Sequence, residues 1–273
     1  MSILKAHAKI NLFFHITGKR EDSYHLIDSL MVFAKDIYDE IEIIPSNENF
    51  TKIVAGEFGH FLLEEKNNLI DKVLNKFSNA KKYQCNLTKN IPIGAGLGGG
   101  SSDAATVARY LNQNISNEEL ARIGADVPIC YLSKASYCEG IGEIISPLNQ
   151  KPNLHLVLVN PKKILLTQDV FNLNKKIDIP YIEKKPIGFK NTETFIDFLL
   201  DKDNVLTESA IDILPEIKDI LELLLLQKDC LIARMSGSGP TCFGIFKNKN
   251  LAVEAESIIK KTHPNYWVKY TEI

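Results

Sequence analysis

The stretch that decides the fold lies at residues 92–102, which read PIGAGLGGGSS and overlap the start of a helix-like segment, SSDAATVARYLN. Five of these eleven residues are glycine. Glycine at this density lets consecutive backbone N–H groups turn toward one point, because no side chain obstructs them. The start of the following helix adds unpaired N–H groups and a partial positive charge. The stretch therefore predicts a site for phosphate groups, and hence for a nucleotide or a polyphosphate.

Length and composition are typical of a globular enzyme. The 273 residues carry a formal net charge of -2, so there is no electrostatic reason to expect nucleic acid as a partner. The five cysteines stand singly, as is typical of reduced thiols in a cytosol. No apolar run is long enough to span a membrane, and lysines at positions 5 and 9 interrupt the N-terminal one. We expect a cytoplasmic, bacterial-type protein without a signal or transit peptide.

Hydrophobic periodicity predicts a chain of mixed strands and helices. The predicted strands cover residues 5–16, 30–33, 37–44, 83–91, 137–147, 155–159, 231–235, 242–246 and 267–273. The predicted helices cover residues 67–79, a segment opening at residue 101, and residues 118–123, 212–227 and 251–261. Composition changes near residues 151–154, which predicts an N-terminal domain over residues 1–153 and a C-terminal domain over residues 154–273.

Familiar phosphate-loop motifs fit the glycine stretch poorly. Gly94, Gly96 and Gly99 satisfy the dinucleotide pattern GxGxxG, but the preceding strand alternates with polar residues instead of being continuously apolar. A Walker A motif fails because Arg20 follows Gly18 and Lys19. The HRD and DFG signatures of protein kinases do not occur. A dinucleotide enzyme and a flexible glycine hinge remain as alternatives.

Three segments together resemble the GHMP superfamily of small-molecule kinases. They read AKINLFFHITGKREDSYH at residues 8–25, PIGAGLGGGSSDAA at residues 92–105 and MSGSGPTCFGIF at residues 235–246. GADVP at residues 124–128 and EGIGE at residues 139–143 are similar to the branch that phosphorylates CDP-methylerythritol. The resemblance implies an α/β (α+β) fold of two domains. The N-terminal domain would be like domain 2 of ribosomal protein S5, the C-terminal one ferredoxin-like, with the active site in the cleft between them.

The same resemblance assigns the residues of the ATP site. ATP would bind with Mg²⁺, which the phosphates and water would mostly hold. Ser101 or Ser102 would add a hydroxyl to the phosphates or to magnesium, or would cap the helix. Asp103 is expected near the helix start as a cap or first-turn residue, and the second glycine loop, at residues 236–241, as support. The expected cofactor-binding residues are Pro92, Ile93, Gly94, Ala95, Gly96, Leu97, Gly98, Gly99, Gly100, Ser101 and Ser102.

Catalysis and acceptor binding are likewise assigned by resemblance. Asp126 would take the proton of the acceptor hydroxyl, and Lys9 would face the same hydroxyl and the transferring phosphate. Without the resemblance, an edge-strand lysine and a turn-capping aspartate are the plainer interpretations. The expected acceptor-binding residues, with two rings enclosing a cytosine base, are Asn11, Tyr24, His25 and Phe171.

Several alternatives stay open at this point. The chain could be another GHMP kinase acting on homoserine, mevalonate or a sugar, or a nucleotide-binding relative without turnover. Ser23 stands where the family usually has glycine, and it could alter the turn that presents Tyr24. We expect a monomer or a weak homodimer, with a small molecule as the only partner.

Overall fold

The computed structural model describes residues 3–21, 24–62, 68–111, 114–175 and 185–273. The strands are Ile3–Lys19 (β1), His25–Pro45 (β2), Phe50–Ala55 (β3), Tyr83–Thr88 (β4), Ser136–Gly140 (β5), Ile144–Pro147 (β6), His155–Asn160 (β7), Cys230–Met235 (β8), Cys242–Phe246 (β9) and Trp267–Glu272 (β10). The α-helices are Leu69–Phe77 (α1), Gly99–Leu111 (α2), Asn117–Ala121 (α3), Val127–Leu132 (α4), Thr167–Leu173 (α5), Thr192–Leu200 (α6), Thr207–Ile213 (α7), Glu216–Leu225 (α8) and Lys249–Thr262 (α9).

The strands form two sheets. The first contains six strands in the order β3-β4-β2-β5-β6, and β1 pairs with β2. The long strand β2 reaches β5 through its first half and β4 through its last residues, and only the pairing of β3 with β4 is parallel. The second sheet has four antiparallel strands in the order β10-β7-β9-β8.

Strand β7 shows how the sheets and helices stack in layers. Its leucines at 156 and 158 belong to a core between the two sheets, which also holds Leu30 and Phe243. Its valines at 157 and 159 point the other way, into a core formed with α8 and α9. This alternation is what a strand buried on both faces requires. A third core joins the first sheet to α1, α2 and α4.

The mixed α/β class is confirmed, and most predicted elements lie where expected. Three boundaries are wrong. Residues 30–44 form one strand. At Lys35 and Asp36, where the sequence predicted a break, the backbone N–H groups donate to Thr271 Oγ1 at 3.1 and 3.3 Å, so the strand continues. Residues 137–147 form a hairpin at Gly140 and Gly142, which both have positive φ. The helix predicted over residues 212–227 is two helices, interrupted before Pro215.

Hydrophobic periodicity did not predict three short helices, α4, α5 and α6. They span six, seven and nine residues. Helix α2 opens at Gly99, two residues before the predicted start. Among the described residues, no helix combines the length and the apolar character that crossing a membrane would need. All five cysteines carry free thiols, and four of them are buried.

Candidate active site

The glycine loop joins the end of β4 to the first residue of α2. Gly94, Gly96 and Gly98 have φ values of +57°, +70° and +61°, so every second residue adopts the left-handed conformation that glycine tolerates. A methyl group on Gly96 would stand 2.1 Å from the carbonyl oxygen of Ser236. The loop therefore requires glycine at 96 for close approach as well as for conformation. Backbone turns of this kind form concave sites for anions.

The second glycine loop, at residues 236–241, supports the first through hydrogen bonds. Ser236 Oγ donates to the carbonyl oxygen of Gly96 at 2.9 Å and accepts the N–H of Asn11 at 3.1 Å. Asn204 holds this second loop, since its Nδ2 donates to the carbonyl oxygens of Met235 and Gly237 at 2.8 and 2.7 Å. The sequence predicted that the second glycine loop supports the site, but it did not point to Asn204, which lies in no motif. The second sheet thus supports a loop of the first.

Lys9 and Asp126 lie together at the mouth of the glycine loop. Lys9 Nζ stands 3.2 Å from Asp126 Oδ2 and donates to Asn11 Oδ1 at 2.6 Å. The backbone N–H of Lys9 donates to the carbonyl oxygen of Leu97, at 2.9 Å, which fixes β1 to the loop. The register of β1 against β2 shifts on each side of the segment that holds Lys9 and Asn11. These irregularities turn both side chains toward one cleft.

Asp126 immediately precedes α4, whose first turn contains Pro128. A side chain at this position usually caps the helix, but the Asp126 carboxylate makes no capping hydrogen bond. It is directed instead toward Lys9. Its carboxylate is therefore available to a ligand in the cleft.

The cleft has a volume of about 500 Å³ and is lined from both sheets. Its size suits a nucleotide or a similar ligand. Of the predicted residues, those lining it are Lys9, Asn11, Pro92, Ile93, Gly94, Ala95, Gly96, Gly98, Gly99, Gly100, Ser101, Asp126 and Phe171. Leu97, Ser102, Tyr24 and His25 are not among the lining residues.

The two serines at the start of α2 differ in their surroundings. Ser102 is buried, and its Oγ donates to the backbone oxygen of His7 at 2.7 Å, which fastens α2 to β1. Ser101 lines the cleft. The geometry thus separates a hydroxyl that holds the fold together from one that faces a ligand.

Two of the predicted acceptor-binding rings, those of His25 and Phe171, are in contact, and Phe171 lines the cleft. The ring centroids of His25 and Phe171 are 5.1 Å apart. Phe171 also contacts Phe14 edge-on, with the ring centroids 6.0 Å apart. Burial lowers the pKa of the His25 imidazole, and the charge of Lys19 adds to this effect. The ring is therefore neutral near neutral pH. Tyr24 is 58% exposed, and the predicted effect of Ser23 falls outside the described residues.

Comparison with known proteins identifies the family. The family model for the N-terminal domain of GHMP kinases matches residues 67–142, and the model for their C-terminal domain matches residues 191–265. A 4-diphosphocytidyl-2-C-methyl-D-erythritol kinase from Paracoccus denitrificans is 38% identical over 96% of this chain and 93% of its own length. One from Roseobacter denitrificans is 35% identical over 98% of this chain and 92% of its own length.

The chain belongs to the 4-diphosphocytidyl-2-C-methyl-D-erythritol kinase family of GHMP kinases.

Solved GHMP kinases share the fold. A crystal structure of 4-(cytidine 5'-diphospho)-2C-methyl-D-erythritol kinase matches with a TM-score of 0.75 at 24% identity, covering 98% of each chain. Homoserine kinase from Cytophaga hutchinsonii matches with a TM-score of 0.63 at 14% identity, covering all of this chain and 94% of that one. The predicted two-domain GHMP fold and the class of ATP-dependent small-molecule kinase are confirmed. The predicted domain boundary and residue roles stay predictions.

One charged group of this GHMP kinase was missed by the sequence analysis. Lys89, in the short segment between β4 and the glycine loop, is buried between two carboxylates, at 2.5 Å from Asp39 Oδ2 and 2.7 Å from Asp103 Oδ2. The sequence suggested that Asp103 caps α2 or lies in its first turn, and this prediction is wrong on both counts. Nothing in the sequence marks Asp39 as its neighbour, because β2 and α2 are far apart along the chain. Burial opposes the charge of Lys89, but the two carboxylates outweigh it and raise its pKa.

Proposed function

We propose that this chain transfers the γ-phosphoryl group of ATP to the 2-hydroxyl of 4-diphosphocytidyl-2-C-methyl-D-erythritol, giving the 2-phosphate and ADP. The reaction would serve the methylerythritol phosphate route to isoprenoid precursors. The observation that carries the proposal is the Lys9–Asp126 pair, which lines one cleft together with the glycine loop and Phe171. The names of relatives at 35% and 38% identity support the choice of acceptor.

The glycine loop is proposed to bind the ATP phosphates through main-chain N–H groups. The alternating positive φ values at Gly94, Gly96 and Gly98 support this role, because they let successive amides face one point. The N-terminus of α2 adds a positive partial charge, and Ser101 supplies a hydroxyl. Asn68, which caps α1 through the N–H of Asp71 and lines the same cleft, would border the adenine.

Asp126 and Lys9 are proposed to act on the acceptor. Asp126 would accept the proton of the attacking hydroxyl, so that the oxygen can approach the γ-phosphorus. Lys9 would neutralise negative charge as the phosphoryl group moves from ADP to that oxygen. Asn11 accepts from the Lys9 ammonium at 2.6 Å and donates to Ser29 Oγ at 2.8 Å, so it would fix the direction of Lys9. Positioning of this kind accounts for much of the catalysis in phosphoryl transfer.

The side chains of Tyr24, His25 and Phe171 are proposed to bind the cytosine ring. Tyr24 and Phe171 would stack on its two faces, and the neutral imidazole of His25 would hydrogen-bond its polar edge. The contact between the His25 and Phe171 rings, at 5.1 Å, supports a shared role for these residues. Stacking on an aromatic ring contributes about 1–3 kcal/mol per base.

Magnesium is proposed to arrive with ATP. Among the described residues, no group of three or more carboxylate, histidine or cysteine side chains could hold a metal ion. The two aspartates that line the cleft, Asp103 and Asp126, are each paired with a lysine. Phosphate oxygens and water would therefore supply the ligands, as Mg²⁺ prefers, and the ion would neutralise charge on the transferring phosphate.

Three further predictions, on the domain boundary, the cellular location, and the oligomeric state and partners, are kept as proposals. We place the boundary between the domains at residues 153 and 154, in the connection between β6 and β7. A cytoplasmic location fits the five free thiols. The chain would act as a monomer or a weak homodimer, without nucleic acid as a partner.

An acceptor screen tests the function. Purified protein would be incubated with MgATP and, in turn, CDP-methylerythritol, mevalonate and homoserine, while ADP release is followed. We expect release that depends on CDP-methylerythritol. Release with only mevalonate or homoserine would point to another GHMP kinase, and nucleotide binding without release from any acceptor would contradict the proposed activity.

A further inference from the structure

Three buried ionisable side chains lie next to the proposed phosphate loop and connect its two ends. Asp39 Oδ1 accepts the N–H groups of Asn90 and Ile91, at 2.5 and 2.9 Å, where the chain leaves β4. Asp103 lies on α2, where the loop ends. Lys89 bridges both carboxylates, and its Nζ is 3.0 Å from the point where a Cβ on Gly99 would stand. We call Asp39, Lys89 and Asp103 the loop triad.

The loop triad contains more acid than base. Two carboxylates share one ammonium, and all three side chains are at least 97% buried. Asp39 uses both oxygens, but Asp103 Oδ1 is buried without a hydrogen-bond partner among the described residues. A buried carboxylate with an unpaired oxygen is unfavourable when ionised, and two carboxylates that share a site rarely ionise together. Burial, aided by Asp39 and opposed by Lys89, raises the pKa of Asp103 well above its usual range.

Among the described residues, Lys89 is the cation that pairs with Asp103. Lys89 and Asp39 are the charged groups that act on Asp103. Further ionisable groups on α2 and on the elements that pack against it include Arg109 on α2, Lys5, His7 and Lys9 on β1, Asp71, Lys72 and Lys76 on α1, and Asp126, Cys130 and Tyr131 at α4. Arg109 lies in the last turn of α2 and donates to the backbone oxygens of Cys130 and Tyr131. Lys9 is paired with Asp126, and Asp71 accepts from Thr51 Oγ1 at 2.7 Å. Within the loop triad one ammonium therefore faces two carboxyl groups, and Asp103 lines the cleft.

We propose that Asp103 is a positioning residue that supports the phosphate loop in its protonated form, and that its ionisation weakens binding of a nucleoside triphosphate. The inference rests on the proposed function, because it takes this cleft as the ATP site. While Asp103 is neutral, Lys89 is balanced by Asp39 and the loop keeps its shape. Once Asp103 ionises, a buried negative charge lies in the second turn of α2 at the wall of the cleft, where it repels the phosphates.

Calorimetric titration of MgATP into the wild type and Asp103→Asn, between about pH 6 and about pH 9, tests the proposal, because buried carboxyl groups titrate in this range. Asparagine has the shape of the neutral acid and cannot ionise. We expect the wild-type Kd to rise about tenfold more than that of the variant over this range, the equivalent of about one pKa unit of coupling. Asp71→Asn, on the neighbouring helix α1, is the matched control and should follow the wild type.

The outcomes separate the two proposals. Parallel pH profiles for the wild type and Asp103→Asn would overturn the inference and leave the ATP site standing. Failure of the wild type to bind MgATP at any pH would overturn the proposed function itself.

A second measurement on the wild type covers the case in which Asp103→Asn does not fold. Calorimetry at about pH 9, in two buffers of different ionisation enthalpy, reports the protons exchanged on binding. A polyanion near Asp103 favours its protonated form, so we expect proton uptake when MgATP binds. Binding without proton uptake would overturn the inference.

Discussion

Lys9 and Asp126 form an ion pair of unequal burial: the two side chains are 3.2 Å apart, yet 4% of Lys9 and 34% of Asp126 is exposed. Asn11 and the backbone oxygen of Leu97 fix Lys9 inside the protein. Asp126 immediately precedes the short helix α4, lines the cleft and makes no capping hydrogen bond. The pair is therefore asymmetric, with a fixed ammonium and a carboxylate that a substrate can reach. This asymmetry is what a base and its charge-neutralising partner need.

Replacing Asp126 by asparagine removes the proposed base and keeps the shape of the side chain. We expect kcat to fall by about 10²–10⁴-fold, the usual contribution of a positioned base. The Kd for MgATP should change little, because the glycine loop is untouched. Steady-state kinetics and calorimetry measure the two effects, with the exposed Asp212→Asn as a control. An unchanged kcat would remove Asp126 from the mechanism.

Truncating Asn11 to alanine frees the Lys9 ammonium from its 2.6 Å hydrogen bond. We expect kcat to fall, because Lys9 loses its fixed direction, while the KM for ATP stays close to the wild-type value. Unfolding in urea should reveal a loss of about 1–3 kcal/mol, since Ser29 also loses a buried partner. A destabilised variant with full turnover would show that Asn11 only supports the fold.

The Gly98→Ala substitution tests the shape of the phosphate loop. Gly98 has φ +61°, and an added Cβ would stand 3.0 Å from Lys9 Cε. We expect a loss of about 1–2 kcal/mol in unfolding free energy from the left-handed conformation, together with reduced turnover.

Gly100→Ala is the matched control for stability. Its added Cβ meets nothing within 4 Å, and the residue lies in α2. This variant should gain up to about 1 kcal/mol. Equal unfolding free energies for the two variants, measured in urea, would contradict the described loop geometry.

Removing the rings that are proposed to enclose cytosine should act on the acceptor alone. We expect Phe171→Ala and Tyr24→Ala each to raise the acceptor KM by about 5–150-fold, the equivalent of about 1–3 kcal/mol, with the KM for ATP unchanged. Tyr110→Ala, an exposed ring on α2, is the control. An effect of Phe171→Ala alone would remove Tyr24 from the acceptor site and leave a one-sided stack.

Arg234 joins the two sheets and should matter for stability. Its guanidinium donates to the backbone oxygens of Leu12 on β1, at 2.6 Å, of Leu199 on α6, at 3.0 Å, and of Lys202. We expect Arg234→Met to lower the free energy of unfolding by about 2–4 kcal/mol, because buried carbonyl groups lose their donor. Urea unfolding measures this, with the exposed Arg122→Met as control. A loss below about 0.5 kcal/mol would contradict the role.

The sequence predicted the features that depend on local pattern. Two such features lie where expected: the β8–β9 hairpin, and the glycine loop that joins a strand to a helix. Each is encoded by neighbouring residues. The resemblance named the family that the comparisons confirm. The roles given to Lys9, Asp126 and the aromatic residues remain predictions that the variants above address.

Features that depend on distant contacts escaped prediction. Lys35 and Asp36 resembled a break between strands, and only their contact with Thr271 on β10 explains why β2 continues. Asp103 resembled a helix cap until Lys89 and Asp39 were found beside it. Asn204 supports the second glycine loop from a position more than 30 residues away. In each case the deciding partner comes from another element, and its position follows from the tertiary fold.

Phosphorus NMR of the product tests the central claim most directly. Purified protein would be incubated with MgATP and CDP-methylerythritol, and the spectrum followed against a sample of Asp126→Asn. We predict a new phosphomonoester signal, coupled to the 2-position of the polyol, that grows with ADP and is strongly slowed in the variant. ATP that remains intact in the presence of this acceptor, or a phosphate transferred to another hydroxyl, would contradict the account.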